Sequence, residues 1–159
     1  MKRAWVLALA GALSLGLALP VLADDDCPSS VKKAVEKTFP GSHVKKCELE
    51  TNDGKQMYEV KLKTKEGYTT RMDLDPAGVV LLTQQAVTAE GVPTVVMKTF
   101  RTKYPDPDYK VTRTEKWVYP DGKVTYRVTY ARDNSQKAVV YTNEGVFIEE
   151  TEPDLDDMD

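Results

Sequence analysis

Histidine is almost missing from this sequence: His43 is the only one in 159 residues. It follows a Pro-Gly-Ser turn at the edge of an expected strand, where a solvated imidazole needs no further role. No Gly-x-Ser-x-Gly elbow, no His-Glu-x-x-His and no glycine-rich phosphate loop occurs anywhere. Cysteine is scarce too, with only Cys27 and Cys47. Either thiol could be paired with His43 on paper, but a disulfide would remove the thiolate that nucleophilic chemistry needs. The chain therefore reads as non-enzymatic, with no catalytic residue, cofactor or metal assigned. Asp73-Leu74-Asp75-Pro76-Ala77-Gly78 resembles the start of a calcium loop. It fails because Ala77 stands at the third ligand position and Gln84 where the bidentate glutamate belongs.

An excess of positive charge is also absent. The 22 basic and 25 acidic residues give a net charge of −3, and no basic stripe with interleaved aromatics appears, so nucleic acid is not an expected partner. The one long apolar run comes first, behind Lys2 and Arg3, and ends at Pro20 before Val21-Leu22-Ala23. Residues 1–23 read as a signal peptide cleaved before Asp24. A periplasmic or secreted protein with no stable membrane insertion is expected. Residues 149–159 hold seven acidic side chains and no basic one, whereas residues 91–148 hold ten basic and six acidic. Residues 150–159 are expected to be an acidic, disordered tail.

What remains says nearly the same thing twice. Pro28, Val31, Val35, Phe39 and Pro40 recur 65 residues later as Pro93, Val96, Phe100, Tyr104 and Pro105. Asp53-Gly54, Tyr58, Val60 and Leu62 recur 68 residues later as Asp121-Gly122, Tyr126, Val128 and Tyr130. Each unit opens with proline at a helix start, where a missing N–H costs nothing, and a helical stripe of apolar residues follows. The period then becomes alternating, as in strands buried on one side. Asp53-Gly54 and Asp121-Gly122 mark tight hairpins. The expected fold is α+β: a tandem α-β-β-β-β repeat, one helix on one face of each four-stranded antiparallel sheet, the two sheets possibly continuous. Residues 24–84 form the first repeat, 85–92 a linker and 93–149 the second. The register of each first strand stays open. Cys47 and Leu49 suggest one inward set, Val111 and Trp117 the other, and a bulge would reconcile them.

Cys27 and Cys47 are expected to pair. A helix over residues 28–39 advances about 18 Å, and the strand returning from His43 comes back about 13 Å by Cys47. Closing a loop of about 20 residues stabilises a fold by roughly 3 kcal/mol on the chain-entropy account. The second unit has Val92 and Thr112 at the corresponding offsets and must hold without a staple.

One helix covers only one face of such a sheet, so the other face is the candidate binding surface. Met57, Glu59, Lys61, Arg71 and Asp73 are expected on it in the first unit, with Arg127, Lys137 and Tyr141 in the second. Trp117 and Tyr119, just before a hairpin turn, are the large aromatics that anchor protein interfaces.

The sequence resembles the PepSY-like, β-lactamase-inhibitor-like family. The matching elements are Phe39-Pro40-Gly41, Asp53-Gly54, Tyr58-Glu59-Val60-Lys61-Leu62 and Met72-Asp73-Leu74-Asp75 before Gly78-Val79-Val80. Weaker equivalents are Tyr104-Pro105-Asp106, Asp121-Gly122, Tyr126-Arg127-Val128 and Val140-Tyr141-Thr142 before Gly145-Val146. The resemblance covers about residues 28–149 and implies an exported, non-catalytic module that binds or inhibits another exported protein. The competing expectation is a small-ligand or cation-binding envelope stress protein.

Overall fold

The computed structural model describes residues 27–152; the expected signal peptide and most of the expected tail lie outside them. Helix α1 (Ser29–Thr38) is followed by β1 (His43–Asn52), β2 (Lys55–Lys63), β3 (Thr69–Leu74) and β4 (Val80–Ala86). Helix α2 (Thr94–Lys103) then leads to β5 (Lys110–Val118), β6 (Val124–Arg132), β7 (Ser135–Thr142) and β8 (Phe147–Thr151). The fold is α+β, with the two sheets fused into one. All eight strands pair antiparallel in sequence order, and β4 joins β5 through Thr83 to Val118, Gln84 to Trp117, Gln85 to Lys116 and Ala86 to Glu115. The first quarter of the expected linker, Gln85 and Ala86, is therefore strand, since β4 runs to Ala86; a short 3-10 turn, Ala89–Gly91, precedes α2. At the other end β8 takes up Glu150 and Thr151, two residues of the expected tail.

Both helices are capped by the repeated prolines, Pro28 and Pro93, and stop one residue before the second proline pair begins to act, at Phe39 and Tyr104. Val31 and Val35 of α1 bury against Val60, Leu62, Met72 and Leu74. Val96 and Phe100 of α2 bury against Tyr126, Val128, Tyr130, Val139 and Tyr141. Strand pairing carries the core-facing set unbroken from Met72 through Thr83 and Val118 into the second repeat, so both helices lie on one face of the sheet. Each helix is seated by a glycine turn. Gly78 and Gly145 have φ near +80°, and a Cβ on Gly78 would lie 2.6 Å from the Ser30 carbonyl oxygen, one on Gly145 3.1 Å from that of Val95. No side chain fits there, so the β3–β4 and β7–β8 turns can press directly on the first turn of each helix.

The first-strand ambiguity is resolved by bulges at equivalent places, Lys45 in β1 and Thr112 in β5. Before its bulge β5 points Val111 to the core; beyond it Trp117 points to the open face. The bulge also corrects the expected counterpart of Cys47. Cys47 pairs with Val60 and Thr114 with Val128, so Thr114, not Thr112, holds the matching place. Cys27 and Cys47 are bonded, their Cα atoms 5.7 Å apart. In the second repeat the Thr114 hydroxyl donates to the Val87 carbonyl at 2.7 Å, and the Val87 N–H donates to the Thr114 carbonyl at 3.0 Å. A pair of hydrogen bonds thus stands where the first repeat has a covalent bond.

Candidate functional site

The face opposite the helices is continuous, and strand pairing orders it into rows. One row runs Lys46, Lys61, Arg71, Gln84, Trp117, Thr125 and Thr142 across seven strands. The adjacent row in the first repeat is Glu48, Glu59 and Asp73. Like charges directly opposite one another destabilise a sheet unless neutralised, and here one row neutralises the other. Lys46 contacts Glu48 at 2.8 Å, while Lys61 and Arg71 reach Glu59 at 3.7 and 3.4 Å. Carboxylate oxygens of Glu48, Glu50 and Glu59 converge within 4.8 Å. With three cationic side chains already on two of them, that trio is best described as part of the charge network.

Asp73 is the uncomfortable member. It is only 9 % exposed, and its Oδ1 meets no hydrogen-bond donor. Burial lifts its pKa from 3.8 to about 6, against the pull of Arg71 and with a further push from Glu59 and Glu50. A carboxylate deprived of water disfavours its charged form.

In the second repeat the equivalent row is Glu115, Arg127, Val140 and Glu149. Arg127 takes the place of Glu59, so two carboxylates in register become an ion pair. Both partners are 2 % exposed, and Nη1 of Arg127 lies 3.4 Å from Glu115. Arg113 donates to the other oxygen of Glu115 at 2.8 Å. The Arg127 guanidinium lies over the Trp117 ring, 5.7 Å from its centre, the arrangement in which a cation is attracted by an aromatic face. Trp117 itself is partly exposed, but its indole N–H is buried without an acceptor.

Of the expected surface residues, Met57, Glu59, Lys61, Arg71, Asp73, Trp117 and Arg127 share this face. Tyr119 follows in the hairpin turn, with Lys123 over its ring at 5.6 Å. The face is less solvated than expected, since Glu59, Asp73 and Arg127 are buried. Lys137 and Tyr141 are corrected outright: they project from the helix side. Tyr141 is a core residue, packed edge-on against Phe147 at 6.2 Å, with its hydroxyl pKa pushed up to about 12 by burial. Lys137 pairs with Glu150 at 3.3 Å. The reason is one residue of hairpin length. Five residues separate Lys63 from Thr69 in their paired positions, but only four separate the equivalent Ala131 and Gln136. A shift of one turns every side chain of the strand over, so the counterparts of Arg71 and Asp73 are Ala138 and Val140.

Glu115, Arg113 and Glu48 were missed as members of this face. Two-residue spacing from Trp117 was the signal for Glu115, legible once the β5 bulge is placed. A separate shallow cleft of about 360 Å³ lies where the repeats join, lined by Ala86, Val87, Ala89 and Val111 to Thr114.

The family model described as "Putative beta-lactamase-inhibitor-like, PepSY-like" matches residues 19–82 and again residues 79–149. The chain belongs to this family. Two tandem PepSY-like units thus account for both halves of the sheet. No curated protein matches the chain. Among solved structures, a DUF2874 family protein from Bacteroides uniformis aligns with a TM-score of 0.65 at 17 % identity, covering 79 % of this chain and 89 % of that one. A protein from Bacteroides eggerthii described as "putative periplasmic" gives 0.65 at 18 %, covering 79 % and 88 %. A BLIP-like protein from Bacteroides fragilis gives 0.60 at 15 %, covering 79 % and 85 %. At such identities the likeness is one of fold. Among the described residues no helix is long and apolar enough to cross a membrane.

Proposed function

We propose that this PepSY-like protein is an exported, non-catalytic module that binds another envelope or secreted protein, as an inhibitor does, through the sheet face opposite its helices. The observation that carries this reading is Trp117. A large aromatic, partly exposed, sits mid-face with a buried guanidinium over its ring and a charged row on one side. Such an anchor, ringed by polar groups that exclude water, is the usual make-up of an interface hot spot. The inhibitor-like description of the family supports the non-catalytic part. The periplasmic description of one structural neighbour and the signal-like first segment support export.

The test is capture from a cell-envelope extract by the parent chain and by Trp117→Ala, Lys61→Glu and Arg71→Glu. These side chains are partly exposed, so the variants are expected to fold, with thermal melting as the control. Loss of affinity in capture by about thirtyfold with Trp117→Ala is expected, matching the ~2 kcal/mol of a hot-spot residue. Undiminished capture by all three variants overturns the reading.

A further inference from the structure

We propose that Glu48, Glu50, Glu59 and Asp73 form a low-affinity calcium site on the open face of the first repeat. The site is separate from the protein-binding surface, which centres on Trp117 in the other repeat.

Two independent observations meet here. Carboxylate oxygens of Glu48, Glu50 and Glu59 lie within 4.8 Å of one another. Calcium binds oxygen at about 2.4 Å, so two ligands of one ion are at most about 4.8 Å apart, whereas the shorter bonds of magnesium allow only about 4.2 Å. The separations within the trio are those of ligands sharing one calcium ion. The second observation is Asp73, which is 9 % exposed and whose Oδ1 is buried with no hydrogen-bond donor. It stands directly opposite Glu59 across β2 and β3, as Glu59 stands opposite Glu48 across β1 and β2, and both Glu59 and Glu50 repel its charge. Its carboxylate is thus turned to the trio, and a cation there would satisfy the oxygen that lacks a donor.

The second repeat shows that the fold does not require these acids. Register matches Glu48 with Glu115, Glu50 with Trp117, Glu59 with Arg127 and Asp73 with Val140. A sheet of the same design stands there with one of the four carboxylates. Their convergence in the first repeat, where like charges in register oppose strand pairing, therefore points to a ligand. Among the described residues the ion pairs to these four groups come from Lys46, Lys61 and Arg71, three positive charges against four negative. Lys46 and Lys61 are partly exposed and reach their partners on flexible stems. They stand in for the ion and swing out to water when it binds. Oxygen ligands without histidine or cysteine suit a hard cation, and the exposure of Glu48 and Glu50 leaves room for the waters that complete calcium's oxygen shell.

The experiment is calorimetric titration of CaCl2 into the full chain in metal-free buffer. A single saturable site is expected with a Kd of about 0.1–1 mM, the range of extracellular calcium modules, and magnesium should bind roughly tenfold more weakly. Glu50→Gln, at an exposed position, and Asp73→Asn should each weaken calcium binding about tenfold, because affinity follows the number of ligand charges. Lys61→Gln should tighten it severalfold by removing a competitor. Hydrogen exchange with and without calcium locates the ion: amides of β1 to β3 should gain protection and those of β5 to β8 should not. Absence of saturable heat up to about 10 mM CaCl2, well above that range, overturns the proposal. Equal binding by the parent, Glu50→Gln and Asp73→Asn also overturns it, since the ion then lies on other carboxylates. Weaker binding by Lys61→Gln, magnesium bound as tightly as calcium, or protection confined to β5 to β8 does the same. Envelope capture through Trp117 is read separately, and neither its success nor its failure changes these outcomes.

Discussion

The two repeats solve one architectural problem with different chemistry. In the first, a small aliphatic core of Val31, Val35, Val60, Leu62, Met72 and Leu74 is held by a disulfide, and the open face is a grid of charges. In the second, no disulfide is present. Its core is aromatic, with Phe100 stacked on Tyr104 at 5.0 Å and Tyr130 4.7 Å from Tyr104. The Tyr104 hydroxyl donates to Glu150, which Lys137 and Lys103 also approach. Its open face buries one ion pair beneath a tryptophan. The lesson is that a unit near the lower size limit for a self-sufficient core can be completed by a covalent bond or by large rings packed beneath its helix.

That contrast can be broken most severely at Phe100. Phe100→Ala should cost about 4 kcal/mol, as large buried aromatics do, and hydrogen exchange should show α2 and β5 to β8 losing protection before α1 and β1. Next in size is the staple. Cys27→Ala with Cys47→Ala opens a loop closed across a separation of 20 residues and should cost roughly 3 kcal/mol, with the loss of exchange protection now starting in α1 and β1. Melting curves without any repeat-specific difference in exchange would mean that the fused sheet unfolds as one unit and that the division of labour is only descriptive.

Titration sharpens the comparison with a smaller effect. The folded-state pKa of Asp73 is raised, so the folded protein holds the proton more tightly than the unfolded chain. The stability this contributes is complete below about 4 and is lost as pH rises toward about 6. Asp73→Asn should therefore flatten that slope and stabilise the protein at pH 7 by roughly 1–2 kcal/mol. Glu150 in the second repeat runs the other way. The Tyr104 hydroxyl holds its pKa below the usual 4.5, so its contribution is present above that range and lost on acidification. Urea melts at pH 4, 5, 6 and 7 separate the two, and a slope unchanged by Asp73→Asn would refute the assignment. Smallest is Thr114→Val, which removes the hydroxyl bond to Val87 and should cost about 1 kcal/mol; no change in the denaturation midpoint would show that the reciprocal backbone bond suffices.

Much of the fold was legible because the determinants are local and stated twice. Prolines at the helix starts, turn dipeptides and alternating residues each specify an element without knowledge of the rest. The site was less legible because it depends on register, which accumulates along the chain. The offset between repeats is 65 in the helices, 67 at Val44 and Val111, 68 at Val60 and Val128, and 67 again at Leu74 and Tyr141. Carrying 68 into β7 turned Lys137 and Tyr141 to the wrong face. Burial of Glu59, Asp73 and Arg127 was hidden for another reason: a charged residue at an alternating position reads as solvated, and only its neighbours across three strands reveal otherwise.

The joint between β4 and β5 has a consequence beyond the single molecule. It is an edge-to-edge weld between two units of one design, so the outer margins β1 and β8 are, in principle, further places to weld. An unguarded pair of margins would let molecules add end to end into a growing ribbon. The β1 margin is interrupted at Lys45 and lined with Lys46, Glu48 and Glu50, and the β8 margin offers only five residues before Pro153. The chain thus uses its internal joint once and keeps its borders inhospitable to a neighbour.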